Sequence, residues 1–376
     1  MRKPENPFLI SGYYSPDYFC DRKEETSQLL SYIQNGQNVT LTSVRRIGKT
    51  GLIKHLFHQL PAGWRGIYVD ILATEDLQQF LNVLATAVLN AVPEKESLGK
   101  KLWTFIKAMR PVISFDPLTN LPQATFEVRK SGTESHIGSI MQFLEKQDHK
   151  IVIGIDEFQQ ISNYPEKNVD AWLRSIIQHL NNVRFIFSGS QQHLMNELFN
   201  LPSKPFYRST AMLGIEKIDK TEYKNFVSRW FNQSGKSISD EIIDDILDWS
   251  CLHTYYVQLV FNRVFATGQK IITSNLWKEE AYKLLKEQEN VFFNYRSMLT
   301  FHQWRLLKAV AHEGIIISPT SKEFISKYKL GSPSTVLRSL KSLINSELLY
   351  SSFTENGGVS YSIYDILFHR WTESLP

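Results

Sequence analysis

The sequence has 376 residues, 42% of them hydrophobic and 21% charged, with 42 Lys and Arg against 38 Asp and Glu for a formal net charge of +4. At roughly 100–200 residues per domain this gives two or three domains, with enough apolar residues for a sizeable core. The charge is too small to establish a nucleic-acid partner by itself, and the two isolated cysteines, Cys20 and Cys251, exclude a disulfide framework or a structural zinc and point to a reducing compartment.

The amino-terminal MRKPENPFLI carries charge and two prolines, with no apolar run like that of a signal peptide. The longest apolar stretches, IVIGI and GIIIS, fall far short of the ~20 residues of a membrane span, so a cytoplasmic location without a membrane partner is expected. Asp21 followed by Glu24 predicts a helix N-cap with an acidic first turn, ahead of Leu29, Leu30 and Ile33 at helical spacing. Asn35-Gly36 then signals a turn.

NVTLTSVRRIGKTGLIKHL, from Asn38 to Leu56, reads as a buried strand, a tight loop and a helix. The loop SVRRIGKT matches the Walker A pattern with Ser43 in place of the first glycine. Gly48 permits close approach of a phosphate, Lys49 supplies a point charge for the β- and γ-phosphates, and Thr50 offers a hydroxyl to a magnesium ion. The backbone N–H groups around Arg46, Ile47, Gly48 and Gly51 open a helix whose dipole favours an anion.

WRGIYVDIL is a second strand, apolar enough to be covered on both faces. An amphipathic helix, LQQFLNVLATAVLNAV, runs to Pro93, and another spans about 98–109. PVISFDPLTNLPQATFEV, at 111–128, has two alternating runs around a Pro-Leu-Thr-Asn turn and reads as a β-hairpin insertion. The third strand, HKIVIGIDEF, ends on Asp156-Glu157, a Walker B signature. Asp156 would hold magnesium, and Glu157 would orient and deprotonate a water.

The fourth strand, NVRFIFSGS, ends in polar residues. Ser190, with Ser188 as second choice, would contact the γ-phosphate or the water, or else cap the helix QQHLMNELF. Before the fifth strand, AMLGI, Arg208 would reach a phosphate in its own subunit or a neighbour's, or pair with a surface carboxylate.

From Asp219 helices follow one another without strands, with Gly235 and Gly268 as stops and His253 as a loop or capping residue. The last segment, from Leu299, gives three helices and two alternating runs around Asn356-Gly357-Gly358, a winged helix-turn-helix. Its third helix has Val336, Leu337, Leu340, Leu343 and Ile344 as a core stripe. That leaves Ser334, Thr335, Arg338, Lys341 and Ser342 outward for phosphates and base edges. Only two of these are basic, and Glu313, Glu323, Glu347, Glu355 and Asp365 share the domain, so a protein contact is the alternative use.

With these pieces placed, the chain resembles a family of prokaryotic AAA-like P-loop ATPases, the archaeal-type ATPases of the STAND group with a carboxyl-terminal winged helix. The resemblance rests on YFCDRKEE, RRIGKT, IVIGIDEF, FSGS, PFYRS and YSIYDILFHRW and covers nearly the whole chain. It implies an α/β fold with a parallel sheet in the order 5-1-4-3-2, counting the parallel strands alone, followed by a helical lid. It also puts Ile10, Gly12 and Tyr13 on an adenine-facing strip, although these residues could equally just cover the sheet edge. Ser43 and His253-Thr254 depart from the family pattern, the latter where a Gly-x-Pro or His-Pro step is common in the lid.

The expected domains are an ATPase core at 1–216, a lid at 217–296 and the winged helix at 297–376. The expected function is magnesium-dependent ATP hydrolysis coupled to movement of the winged helix. Double-stranded DNA, a protein or a second copy of the chain are the candidate partners. A nucleotide-gated binding protein with little turnover is the alternative.

Overall fold

A computed structural model describes residues 3–373, apart from 93, 95, 128–129 and 355–356. Pro93, Val128, Glu355 and Asn356, named above, lie outside the described residues. The chain divides into two compact units, Gly12–Glu216 and a second made of Met1–Ser11 with Lys217–Pro376.

The first unit is built on five parallel strands: β1 (Val39–Thr42), β2 (Trp64–Asp70), β5 (Lys150–Asp156), β6 (Val183–Ser188) and β7 (Ala211–Gly214). Their order is β2-β5-β6-β1-β7, which is the expected 5-1-4-3-2 once the hairpin strands β3 (Val112–Phe115) and β4 (Pro122–Thr125) are set aside. Both faces of the sheet are apolar, as parallel strands covered by crossover helices require. Val39, Leu41, Val152 and Ile186 pack with Leu29, Ile33, Leu52, Ile53 and Leu56 from helices Lys23–Gln34 and Lys49–His58. Ile67, Val69, Ile151, Ile153, Phe185 and Phe187 pack on the other side with helices that include Leu77–Ala91 and Val169–Ile177.

Asp21 is not the N-cap of the first helix. That position belongs to Arg22, and Asp21 and Arg22 both take left-handed backbone, with φ of 53° and 68°. The acidic first turn, Glu24 and Glu25, is present.

Helix Lys49–His58 lies so close to the sheet that a Cβ built on Gly66 would sit 2.3 Å from Phe57 Cγ, and one on Gly154 would sit 2.6 Å from Ile53 Cγ2. Gly66→Ala is therefore expected to destabilise the protein by about 1–3 kcal/mol, the usual range for overpacking. Denaturant unfolding checks this, and an unchanged midpoint would mean that the helix can move outward freely.

The second unit holds helices Lys220–Gln233, Asp240–Trp249, Thr254–Ala266 and Ser274–Met298. Phe8 is 1% exposed and sits among Phe226, Phe231, Phe261 and Phe265. His253 occupies the N-cap of helix Thr254–Ala266 without a side-chain cap bond.

The winged helix has its three helices, Phe301–Glu313, Lys322–Tyr328 and Pro333–Asn345. They are joined by a three-stranded sheet of β8 (Ile315–Ile316), which comes between the first two helices, β10 (Val359–Ile363) and β9 (Leu349–Phe353), in that spatial order. It closes on an additional helix, Ile366–Glu373, which Asp365 starts by accepting from Leu367 N and Phe368 N. The same carboxylate accepts from Tyr256 OH at 2.9 Å, and Arg370 donates to the carbonyls of Trp249 and Asp248. These bonds fasten the winged helix to the preceding helices.

Two residues of the third helix differ from expectation. Leu337 is 53% exposed, because helix rotation buries Ser339 beside Leu340 in its place. Ser342 is turned toward Gln303, which donates to its hydroxyl at 2.8 Å. No helix among the described residues is long and apolar enough to cross a membrane.

Candidate functional site

The carboxyl ends of β1, β5 and β6 lie side by side, since β6 pairs in parallel with both β1 and β5. Ligands of open α/β sheets gather at such an edge. The loop after β1 enters helix Lys49–His58 through Gly48, whose φ of 106° suits glycine and leaves no Cβ between loop and ligand.

Lys49 is 6% exposed; its ammonium donates to Ser43 Oγ at 3.1 Å and to the carbonyl of Val44 at 3.2 Å. Burial pulls its pKa down to about 8, with Asp156 and Glu157 acting in the opposite sense. The serine at the first loop position thus gives the lysine a partner that glycine would lack. Ile47 is buried, whereas Arg46 is exposed with a left-handed backbone, and Thr50 and Gly51 are half-buried.

Thr50 Oγ1 donates to Asp156 Oδ2 at 2.5 Å, joining the loop to the end of β5. Tyr68 OH donates to the same oxygen at 2.8 Å, while Ser188 Oγ donates to Asp156 Oδ1 at 2.5 Å and the backbone N–H of Glu157 to Oδ1 at 3.1 Å. Four donors, two on each oxygen, fix the plane of this buried carboxylate.

Glu157 has left-handed backbone, φ 58°, at the strand end. Its Oε2 accepts from Ser190 N at 3.0 Å, Ser190 Oγ at 2.7 Å and Gln159 Nε2 at 2.6 Å. Ser190 is consequently not a helix cap; the N-cap of helix Gln192–Asn200 is Gln191, and the serine instead holds the glutamate.

The geometry brings together Ser43, Lys49, Thr50, Asp156, Glu157, Ser188 and Ser190. Arg208 is exposed, has a φ of 51°, and lays its guanidinium over the ring of Tyr207. Thr50 and Asp156 suit magnesium, offering two hard oxygen donors at one point. Among the described residues no group of three His, Cys, Asp or Glu could hold a metal unaided. An ion here would take its other ligands from phosphate and water, as magnesium in nucleotide sites does.

Two contributors carry no local motif in the sequence. Tyr68 is one; its place on β2, opposite Gly154 and two residues before Asp70, which faces Asp156, is a signal that the parallel register supplies. Arg22 is the other: 3% exposed and ion-paired with Glu25, it directs Nη2 to the carbonyl of Ile47 in the loop at 3.4 Å. Tyr13 packs beside the loop helix, its hydroxyl 3.0 Å from His55 Nδ1 and its ring against His58.

In the winged helix, Ser334, Arg338 and Lys341 are exposed on one helix. Thr335 is half-buried, its hydroxyl 2.9 Å from that of Ser332.

Residues 19–258 match the family described as an ATPase domain predominantly from Archaea, and residues 290–374 match a probable winged helix domain. No curated protein matches the chain significantly. Among solved structures, the chain is similar to the Walker-type ATPase PABY2304 of Pyrococcus abyssi, with a TM-score of 0.67 and 14% identity over 98% of this chain and 99% of that one. It is similar also to the Aeropyrum pernix ORC2 protein, solved as ADPNP-ADP complexes, with a TM-score of 0.61 and 13% identity over 98% and 96%. The Aeropyrum pernix ORC1 protein, solved in complex with DNA, gives a TM-score of 0.51 and 12% identity over 98% and 97%. At these identities the likeness concerns the fold.

Proposed function

The chain belongs to the family of ATPase domains found predominantly in Archaea and is an ATPase, and we propose that it holds and hydrolyses ATP between the loop Ser43–Gly51 and the acidic pair Asp156-Glu157. The observation that carries this reading is the 2.5 Å bond from Thr50 to Asp156, which puts the phosphate loop and the acidic strand end at one point.

Lys49 and the N–H groups from Arg46 to Gly51 receive the β- and γ-phosphates. Thr50 and Asp156 hold a magnesium ion, which when bound neutralises phosphate charge. Glu157 orients and deprotonates the attacking water, and for that its carboxylate has to leave Ser190 and Gln159. Basal turnover is accordingly slow, which is the feature this enzyme shares with a nucleotide-gated switch of the STAND kind. Arg208, exposed and lying over the ring of Tyr207, would reach a phosphate in its own subunit or a neighbour's, and its exposure supports the second.

Turnover measured over a range of protein concentrations tests this part. A specific rate that climbs with concentration supports an arginine acting in trans, and a flat, near-zero rate under every condition supports the pure switch.

The output of the cycle is the winged helix. Because Tyr256 and Arg370 tie it to the lid helices, lid and winged helix respond to nucleotide as one body. The DNA complex of the structurally similar ORC1 protein supports DNA as the partner, contacted by Ser334, Thr335, Arg338 and Lys341. Replacing both Arg338 and Lys341 by Ala is expected to weaken binding across sequences and to lower the salt slope by about 1 per residue. Titrations at several salt concentrations check this. An unchanged slope would assign the face to a protein partner, for which the exposed Leu337 is suited.

A further inference from the structure

We propose that Tyr68 is a positioning residue for Asp156, keeping its carboxylate aimed at the magnesium ion when Thr50 turns from Asp156 toward the metal. The inference rests on the reading that Thr50 and Asp156 hold that ion.

Thr50 and Tyr68 donate to the same carboxylate oxygen. Once the threonine hydroxyl faces a metal, the phenol is the remaining side-chain donor on Oδ2 among the described residues, balancing Ser188 on Oδ1. The ring itself is held in place. β2 and β5 run in register with Tyr68 opposite Gly154 and Asp70 opposite Asp156, and Lys54 Nζ lies 4.5 Å from the ring centroid. Lys54 stands on the same helix as Thr50, so ring, loop helix and carboxylate are positioned together. A phenol with the ordinary pKa of about 10 is a neutral O–H donor at pH 7. Donors behind a metal ligand orient it and raise metal affinity, and removing one typically costs about 10–100-fold.

Tyr68→Phe keeps the ring and its contact with Lys54 and deletes only the hydroxyl. Affinity for a fluorescent ATP analogue is measured against free magnesium and again with EDTA. The expected result is a magnesium midpoint raised about tenfold or more, with affinity in EDTA unchanged. Tyr164→Phe serves as the control, since it removes another buried phenol hydrogen bond in the same unit, to Thr74 at 2.5 Å, and should not move the midpoint.

A parent-like midpoint in Tyr68→Phe, with the parent itself magnesium-dependent, overturns the proposal. An equal loss with and without the metal also overturns it, by making the tyrosine a general structural residue. A parent whose affinity ignores magnesium would instead defeat the underlying reading of Thr50 and Asp156.

Discussion

Lys49→Ala is expected to abolish ATP binding, with affinity falling by about 100-fold or more. The ammonium is the buried positive charge of the loop, and each charge-assisted bond it would make to phosphate is worth about 1.5–3 kcal/mol. Two such bonds, to β- and γ-oxygens, account for that loss at 1.4 kcal/mol per factor of ten. The loss is not an unfolding artefact. Burial already disfavours the charged form of Lys49, holding its pKa at about 8, so taking the charge away removes a desolvation cost along with the bonds to Ser43 and Val44. Thermal denaturation of the variant should resemble the parent while nucleotide titration shows no binding. Parent-like affinity would remove the phosphate loop from the site.

Glu157→Gln is expected to separate binding from chemistry. A positioned general base contributes about 10²–10⁴-fold, so phosphate release should fall by about that factor while nucleotide affinity stays within about twofold, because in the proposed mechanism Glu157 handles the water and phosphate is left to the loop. The fold tolerates the change: a glutamine carbonyl can accept from Ser190 N, Ser190 Oγ and Gln159 Nε2 as the carboxylate does. Single-turnover hydrolysis with excess enzyme measures the chemical step directly. A variant that hydrolyses like the parent would take the base role away from Glu157.

Much of this site could be read from the chain alone because its signals are local. A buried run ending in Asp156-Glu157, or Gly48-Lys49-Thr50 between a strand and a helix, states its chemistry within ten residues. Tyr68 was invisible for the opposite reason: only the parallel register of β2 against β5 brings its hydroxyl to Asp156. For Ser190 the spacing allows either a phosphate or water contact or a helix cap; the cap alternative fails because a stronger acceptor, Glu157, stands across the sheet edge and takes its hydroxyl. Leu337 fits an apolar stripe by spacing, yet Ser339 is buried instead, since the rotation of a helix about its axis is set by what it packs on. The helix Ile366–Glu373 has no legible start in the sequence, because it follows β10 almost at once and is held by Asp365, a cap that period-2 alternation does not reveal.

The route of the backbone through the two units has a consequence for biogenesis. Gly12–Glu216 is one continuous stretch and can bury its sheet as soon as the ribosome has released it, whereas the other unit is encoded in two pieces that flank it. Phe8, made before that stretch, has to wait for Phe226, Phe231, Phe261 and Phe265 before its ring is covered. Domains made first fold first during synthesis, so the Gly12–Glu216 unit should acquire protease resistance while the segment before it is still uncovered. Stalled chains released at increasing lengths would show the order: protection of residues 12–216 first, and burial of Phe8 only after residue 265 has emerged.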